Sequence, residues 1–192
     1  MTICFSFRAR FFRVATWMAA ALSCAATPSI AAEAQADGLN NSAEYIAGFV
    51  RYVHWQGEER LPAWNICIVG NLPAEQDRAY AGRMVRGKSF SIRRIDAEAT
   101  LADCQVLDLT AVDAATTDKV LARARRLPIL AVGSGSGFCS SGGQICLHLD
   151  GVPAADRQKF EVNVSAMKDA ALGVSARLLT LGSAHTASRD VP

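Results

Sequence analysis

Trp64-Asn65-Ile66-Cys67-Ile68-Val69-Gly70 is the stretch on which the fold turns. It is a short apolar run, with Asn65 its one polar side chain before a closing glycine. Such a run, without alternation, reads as a strand buried on both faces, and burial on both faces belongs to a parallel sheet covered by helices. Pro128-Ile129-Leu130-Ala131-Val132-Gly133 repeats the pattern, and Gln105-Val106-Leu107-Asp108-Leu109 is a further strand. Ser89-Phe90-Ser91-Ile92-Arg93-Arg94-Ile95 alternates instead, as a half-exposed strand does.

Helical periods lie between these runs. Tyr45, Ile46, Phe49, Val50 and Val53 form one apolar face, with Glu44 placed for a capping box to Asn41. The pattern stops near Gln56-Gly57. Residues 73–81 read as a short helix opened by Pro73, and 116–126 as a longer one ending in basic residues. A last helix is expected from Ser165 through Met167, Leu172, Val174, Leu178 and Leu179. Residues 145–149 and 159–163 have too little chain between them for a helical crossover, so they are expected to pair as an antiparallel hairpin. The expected fold is therefore α/β: a three-layer, mostly parallel sheet flanked by helices, with an antiparallel hairpin near the C-terminal end.

Outside this domain the N-terminus has another character. Residues 1–32 hold no acidic residue, open with Arg8, Arg10 and Arg13, pass through the apolar run 14–22 and end in Ser29-Ile30-Ala31-Ala32. A basic start, a short apolar core and a small-residue exit are the parts of a secretory signal peptide, too short to span a bilayer comfortably. The expected division is a signal peptide at 1–32, a flexible N-terminus at 33–41, one α/β domain at 42–182 and a disordered tail at 183–192. Taking the leader's three arginines from the chain's 20 basic residues leaves 17 against 18 acidic ones. A near-neutral domain gives no ground for nucleic-acid binding.

Export makes the cysteines informative. Cys4 and Cys24 fall in the leader, which leaves Cys67, Cys104, Cys139 and Cys146. An even count in an oxidising compartment reads as a disulfide framework. Cys139 and Cys146 bracket the turn-rich Ser140-Ser141-Gly142-Gly143-Gln144, which suits two ends of a closed loop. Cys67 lies within one strand and Cys104 just before another, and they could be bridged if those strands are neighbours. Four cysteines allow three pairings, and spacing does not choose among them.

Other chemistry is sparse. His54, His148 and His185 have no ligand-like partner three or four residues away, and no C-x-x-C spacing occurs, so neither a metal nor a cofactor is expected. Gly133-Ser134-Gly135-Ser136-Gly137 is not followed by Gly-Lys-Ser/Thr or a helix start, so it reads as a flexible loop and not a phosphate cradle. No G-x-S-x-G or paired-carboxylate motif appears, so no catalytic residue is nominated. A small ligand could sit at the sheet's C-terminal edge near Gly70 and Gly133, where Asn71, Ser134 and Ser136 are the polar candidates.

The order of several short motifs resembles the YfiR family. Tyr45-Ile46-Ala47-Gly48-Phe49-Val50-Arg51-Tyr52-Val53-His54-Trp55 is similar to its opening helix, which ends in aromatic-Val-x-Trp, and Ile66-Cys67-Ile68-Val69-Gly70 to its first strand. Arg86-Gly87-Lys88, Asp103-Cys104-Gln105-Val106-Leu107 and Gly137-Phe138-Cys139 with Gly142-Gly143-Gln144-Ile145 follow in order. Lys159-Phe160-Glu161-Val162-Asn163 and Leu172-Gly173-Val174-Ser175-Ala176-Arg177-Leu178-Leu179 complete it. The departures are His54, where an acidic residue or Ser is common, Gln56, where Pro is common, and the charged Asp108 in a usually apolar strand.

The resemblance implies a periplasmic, non-enzymatic regulator. It implies a protein that binds the periplasmic segment of an inner-membrane diguanylate cyclase and represses it, lowering cyclic di-GMP and biofilm formation. It also implies a sequestering outer-membrane lipoprotein, leaves room for a homodimer, and matches Cys67 with Cys104 and Cys139 with Cys146. The residues that bind the partner stay unassigned; the surface near Trp55 and the loops after the first and fourth strands are the ones to test. A small-ligand-binding sensor module is the alternative.

Overall fold

A computed structural model describes residues 42–70, 75–135, 137–148 and 160–185. The expected signal peptide, the 33–41 segment, Asn71, Pro73 and Ser136 lie outside the described residues.

Helix α1 occupies 42–52 and runs into strand β1 (Val53–His54). A 3-10 turn (Glu58–Arg60) leads to β2 (Trp64–Val69). Helix α2 (Glu75–Tyr80), β3 (Met84–Val85) and β4 (Lys88–Ile95) follow. Then come β5 (Val106–Leu109), α3 (Ala114–Ala124), β6 (Leu130–Ser134) and β7 (Ile145–Leu147). The chain closes with β8 (Phe160–Asn163), α4 (Val164–Asp169), β9 (Gly173–Val174), α5 (Ala176–Leu181) and β10 (Ser183–His185).

Eight of these strands form one sheet in the order β10-β8-β7-β6-β5-β2-β4-β3. The run β7-β6-β5-β2-β4 is parallel throughout, and β7 pairs antiparallel with β8, Ile145 facing Val162. This is the expected mostly parallel sheet with an antiparallel addition. Alternation along the strands divides the interior in two. Trp64, Ile66, Ile68, Val106, Leu130 and Val132 join the apolar faces of α1 and α4 in one core. Cys67, Val69, Leu107, Leu109, Ala131 and Cys146 join Val120, Leu121 and Ala124 of α3 in the other.

Two expectations need correction. The last helix is not continuous. Ala171 takes a left-handed φ of 53°, and the N–H groups of Ala171 and Leu172 return to the carbonyls of Lys168 and Met167. This double closure ends α4, with buried Leu172 as its apolar partner. Val174 then pairs with Val53 in a separate two-stranded sheet, and Ser175 caps α5 by accepting from the Leu178 N–H at 3.3 Å. The domain also outlasts residue 182. Ser183–His185, expected in a disordered tail, pair parallel with β8 at the sheet edge. Gly182 makes the approach feasible, since a Cβ there would fall 2.3 Å from the Phe160 ring.

Among the described residues no helix is long and apolar enough to cross a membrane.

Candidate interaction site

The opening helix ends in a corner that four distant segments hold. Arg86 sits at the β3–β4 turn with a left-handed φ of 48°. Its guanidinium donates to the carbonyls of Val50 and Val53, which the end of α1 leaves open. It also pairs with Glu58 at 3.0 Å and lies 4.7 Å from the centre of the Trp64 ring. Glu58 in turn accepts from the Trp55 N–H at 3.0 Å. The Trp64 indole donates to the Val85 carbonyl at 2.9 Å and packs 5.2 Å from the Trp55 ring. Both members of the Arg86–Glu58 pair keep only about a quarter of their side chains exposed. Here an ion pair, a cation–π contact and a helix C-cap act through a single arginine. Trp55, expected on a surface worth testing, is 94% buried, and its indole N–H has no acceptor among the described residues.

The Gly/Ser stretch after β6 is built around a ring. Phe138 is buried between Gly133 and Gly143, where an added Cβ would come within 2.2 Å and 2.0 Å of it. Both glycines therefore make room for a core side chain. The space at Gly133 where a ligand edge was expected is filled by Phe138. Ser134 donates to the Thr110 carbonyl at 3.0 Å, and Gly70 closes β2 with a φ of 85°. Asn71 and Ser136 lie outside the described residues.

All four expected cysteines lie on the α3 side of the sheet. The structure joins Cys67 to Cys104, with Cα atoms 5.7 Å apart, and Cys139 to Cys146, 5.8 Å apart. The β2–β5 register sets Cys67 opposite Leu107, which carries Cys104 into reach. At the second bridge, polar side chains tie the loop down. Gln144 accepts from the Ala131 N–H at 2.9 Å, and Asn163 donates to the Cys139 carbonyl at 2.8 Å while capping α4. A groove of about 220 Å³ opens there, lined by Arg125, Arg126, Ser140, Ser141, Ser165 and Asp169 among others.

A third polar cluster lies inside the sheet. Asp108 is fully buried and accepts from the Thr110 N–H at 3.1 Å and hydroxyl at 2.6 Å, and from the Tyr80 hydroxyl at 3.4 Å. Burial pushes its carboxyl above the ordinary range, against the pull of those donors. The Tyr80 hydroxyl is pushed well up by its own burial and by Asp108. These contacts fix the exits of α2 and β5, and none of the three residues lines the groove beside the second bridge.

Among the described residues no three His, Cys, Asp or Glu side chains are placed to hold a metal ion. His54 is exposed in β1, His148 is exposed just beyond β7, and His185 belongs to β10. Sequence reasoning named Arg86 only within a motif and missed Glu58, Arg125 and Arg126. Gln56-Gly57 directly after Trp55 was a usable turn signal; the pairing of Glu58 with Arg86 across 28 residues was not. No curated protein matches the chain. Residues 40–183 match the YfiR/HmsC-like family, a span that takes in the opening helix, the parallel run β7-β6-β5-β2-β4 and both bridges, and the chain belongs to that family.

Proposed function

We propose that this protein is a periplasmic regulator that binds an inner-membrane diguanylate cyclase through the cyclase's periplasmic segment and represses it. Cyclic di-GMP and biofilm formation fall as a result. The observation that carries this reading is the family match across residues 40–183, which is most of the chain. The leader at 1–32 and four cysteines outside it support export to an oxidising compartment. The interior supports a binding role over catalysis. Its buried carboxylate is spent on the exits of two elements, and its glycine loop on a core ring. An outer-membrane lipoprotein that sequesters the regulator, and pairing of two copies, belong to the same reading.

Both bridges are formed in the exported protein under this reading. Titrating denatured, unreduced mature protein with a thiol reagent should then find no free thiol. Recovery of all four would end the framework. For the function itself, deletion in a strain with its periplasm-facing cyclase intact should raise cyclic di-GMP, and the wild-type chain should lower it again. An unchanged level in the deletion strain would count against repression.

A further inference from the structure

The groove beside the second bridge carries two arginines on its lining. Arg86, Arg93, Arg94 and Arg123 each hold a carboxylate. Arg125 and Arg126 also line a cleft, yet neither guanidinium has a partner among the described residues. Asp169, on the same lining, has an interaction of its own. Arg126 stands at a φ of 68°, a conformation that glycine takes without penalty and arginine does not. That position directly follows the C-cap of α3, where a left-handed residue commonly ends a helix, so a glycine there would keep the backbone path.

The lining also includes a bridged turn. Ser140 and Ser141 sit on a turn closed by the Cys139–Cys146 bridge, and Asn163 clamps the Cys139 carbonyl. At about 220 Å³ the groove is smaller than ordinary small-molecule sites, which run from about 300 Å³ upward. It has room for one side chain or a chain end. Two arginines and two serines on one lining suit a carboxylate, which accepts two parallel N–H bonds from one arginine.

We propose that this groove seats a carboxylate-bearing anchor, an acidic side chain or chain terminus, presented by the protein partner. The proposal rests on the reading of the chain as a protein-binding regulator and gives that reading a contact surface.

The test places a photo-crosslinking residue at Ser141 in the full-length chain, in cells that carry the cyclase. The same chain is made with Arg125→Gln and Arg126→Gly together. Glycine suits the backbone at 126, so the paired variant should melt no lower than the parent. Irradiation should give an adduct on an acidic segment of the cyclase, reduced by at least about tenfold in the paired variant. An adduct on an acidic segment of another protein, equally dependent on the arginines, upholds the groove and removes the cyclase as its occupant. Adducts that survive loss of the arginines, adducts to this chain's own peptides alone, or no adduct would overturn the proposal. So would a paired variant that melts several degrees lower, since the arginines would then be structural. Cyclic di-GMP in the deletion strain judges the repressor reading separately in every case.

Discussion

Strands β5 and β6 are parallel neighbours, as are β6 and β7, but the chain returns between them in two different ways. From β5 to β6 it uses α3, whose Asp113 side chain caps the Thr116 N–H at 3.0 Å and whose Thr117, Val120, Leu121 and Ala124 face the core. From β6 to β7 it has only residues 135–144, too few for a helical crossover. The second return is held by a buried ring, a disulfide and two side-chain amides. The first follows from a periodic pattern that any amphipathic helix shares. The second places particular side chains at a groove. The difference teaches that the helical return is scaffold, and the bridged return is where a partner surface can be made specific.

Substitutions at several places would break or sharpen that contrast. The largest effect is expected from Phe138→Ala, which empties the space between Gly133 and Gly143. It should cost about 4 kcal/mol in urea unfolding. A loss below about 1 kcal/mol would show that the ring does not anchor the second return.

Next is Asp108, where the first return begins. Asp108→Leu leaves the Thr110 and Tyr80 donors unpaired and should cost about 3 kcal/mol. Asp108→Asn keeps an acceptor for Thr110 and removes the buried charge. The folded carboxyl is raised, so its charging penalty is absent below the ordinary carboxylate range and accrues as pH rises towards the folded value. The Asn variant should therefore match or exceed the parent at neutral pH and lose that advantage below about pH 4. An advantage that grows on acidification would have the wrong sign.

Removal of the Cys139–Cys146 bridge should cost about 2.5 kcal/mol on chain entropy, against about 4 kcal/mol for Cys67–Cys104 with its longer loop. The smaller loss should nonetheless produce the larger rise in hydrogen exchange at residues 137–143, with α3 unchanged. Exchange in that turn unaffected by loss of its bridge would contradict the comparison. The smallest effect is expected at the helical return: Asp113→Ala should cost about 1 kcal/mol and loosen only the first turn of α3.

The regular parts of the molecule were legible because they repeat. Apolar runs located β2, β5 and β6, and the period of Val120, Leu121 and Ala124 located α3. The break at Ala171 was not legible, because Met167, Leu172, Val174 and Leu178 keep helical spacing through it and no glycine marks the left-handed position. Gly133 and Gly143 were legible as turn formers but not as the walls around Phe138, because close approach depends on a ring five residues from each. Arg86 could be located but not understood, since its partners lie on segments that meet only in the folded chain. The candidate groove was hidden for the same reason: Arg125 and Arg126 look like an ordinary basic helix end until the bridged turn is set beside them.

The most direct test of the account measures cyclic di-GMP in the deletion strain complemented at matched protein levels with three chains: the wild type, Asp113→Ala, and the double variant Cys139→Ala, Cys146→Ala. The account predicts that the wild type and Asp113→Ala lower cyclic di-GMP alike, while the chain without the second bridge leaves it near the deletion level. Equal repression by all three would contradict the claim that the bridged return carries the function.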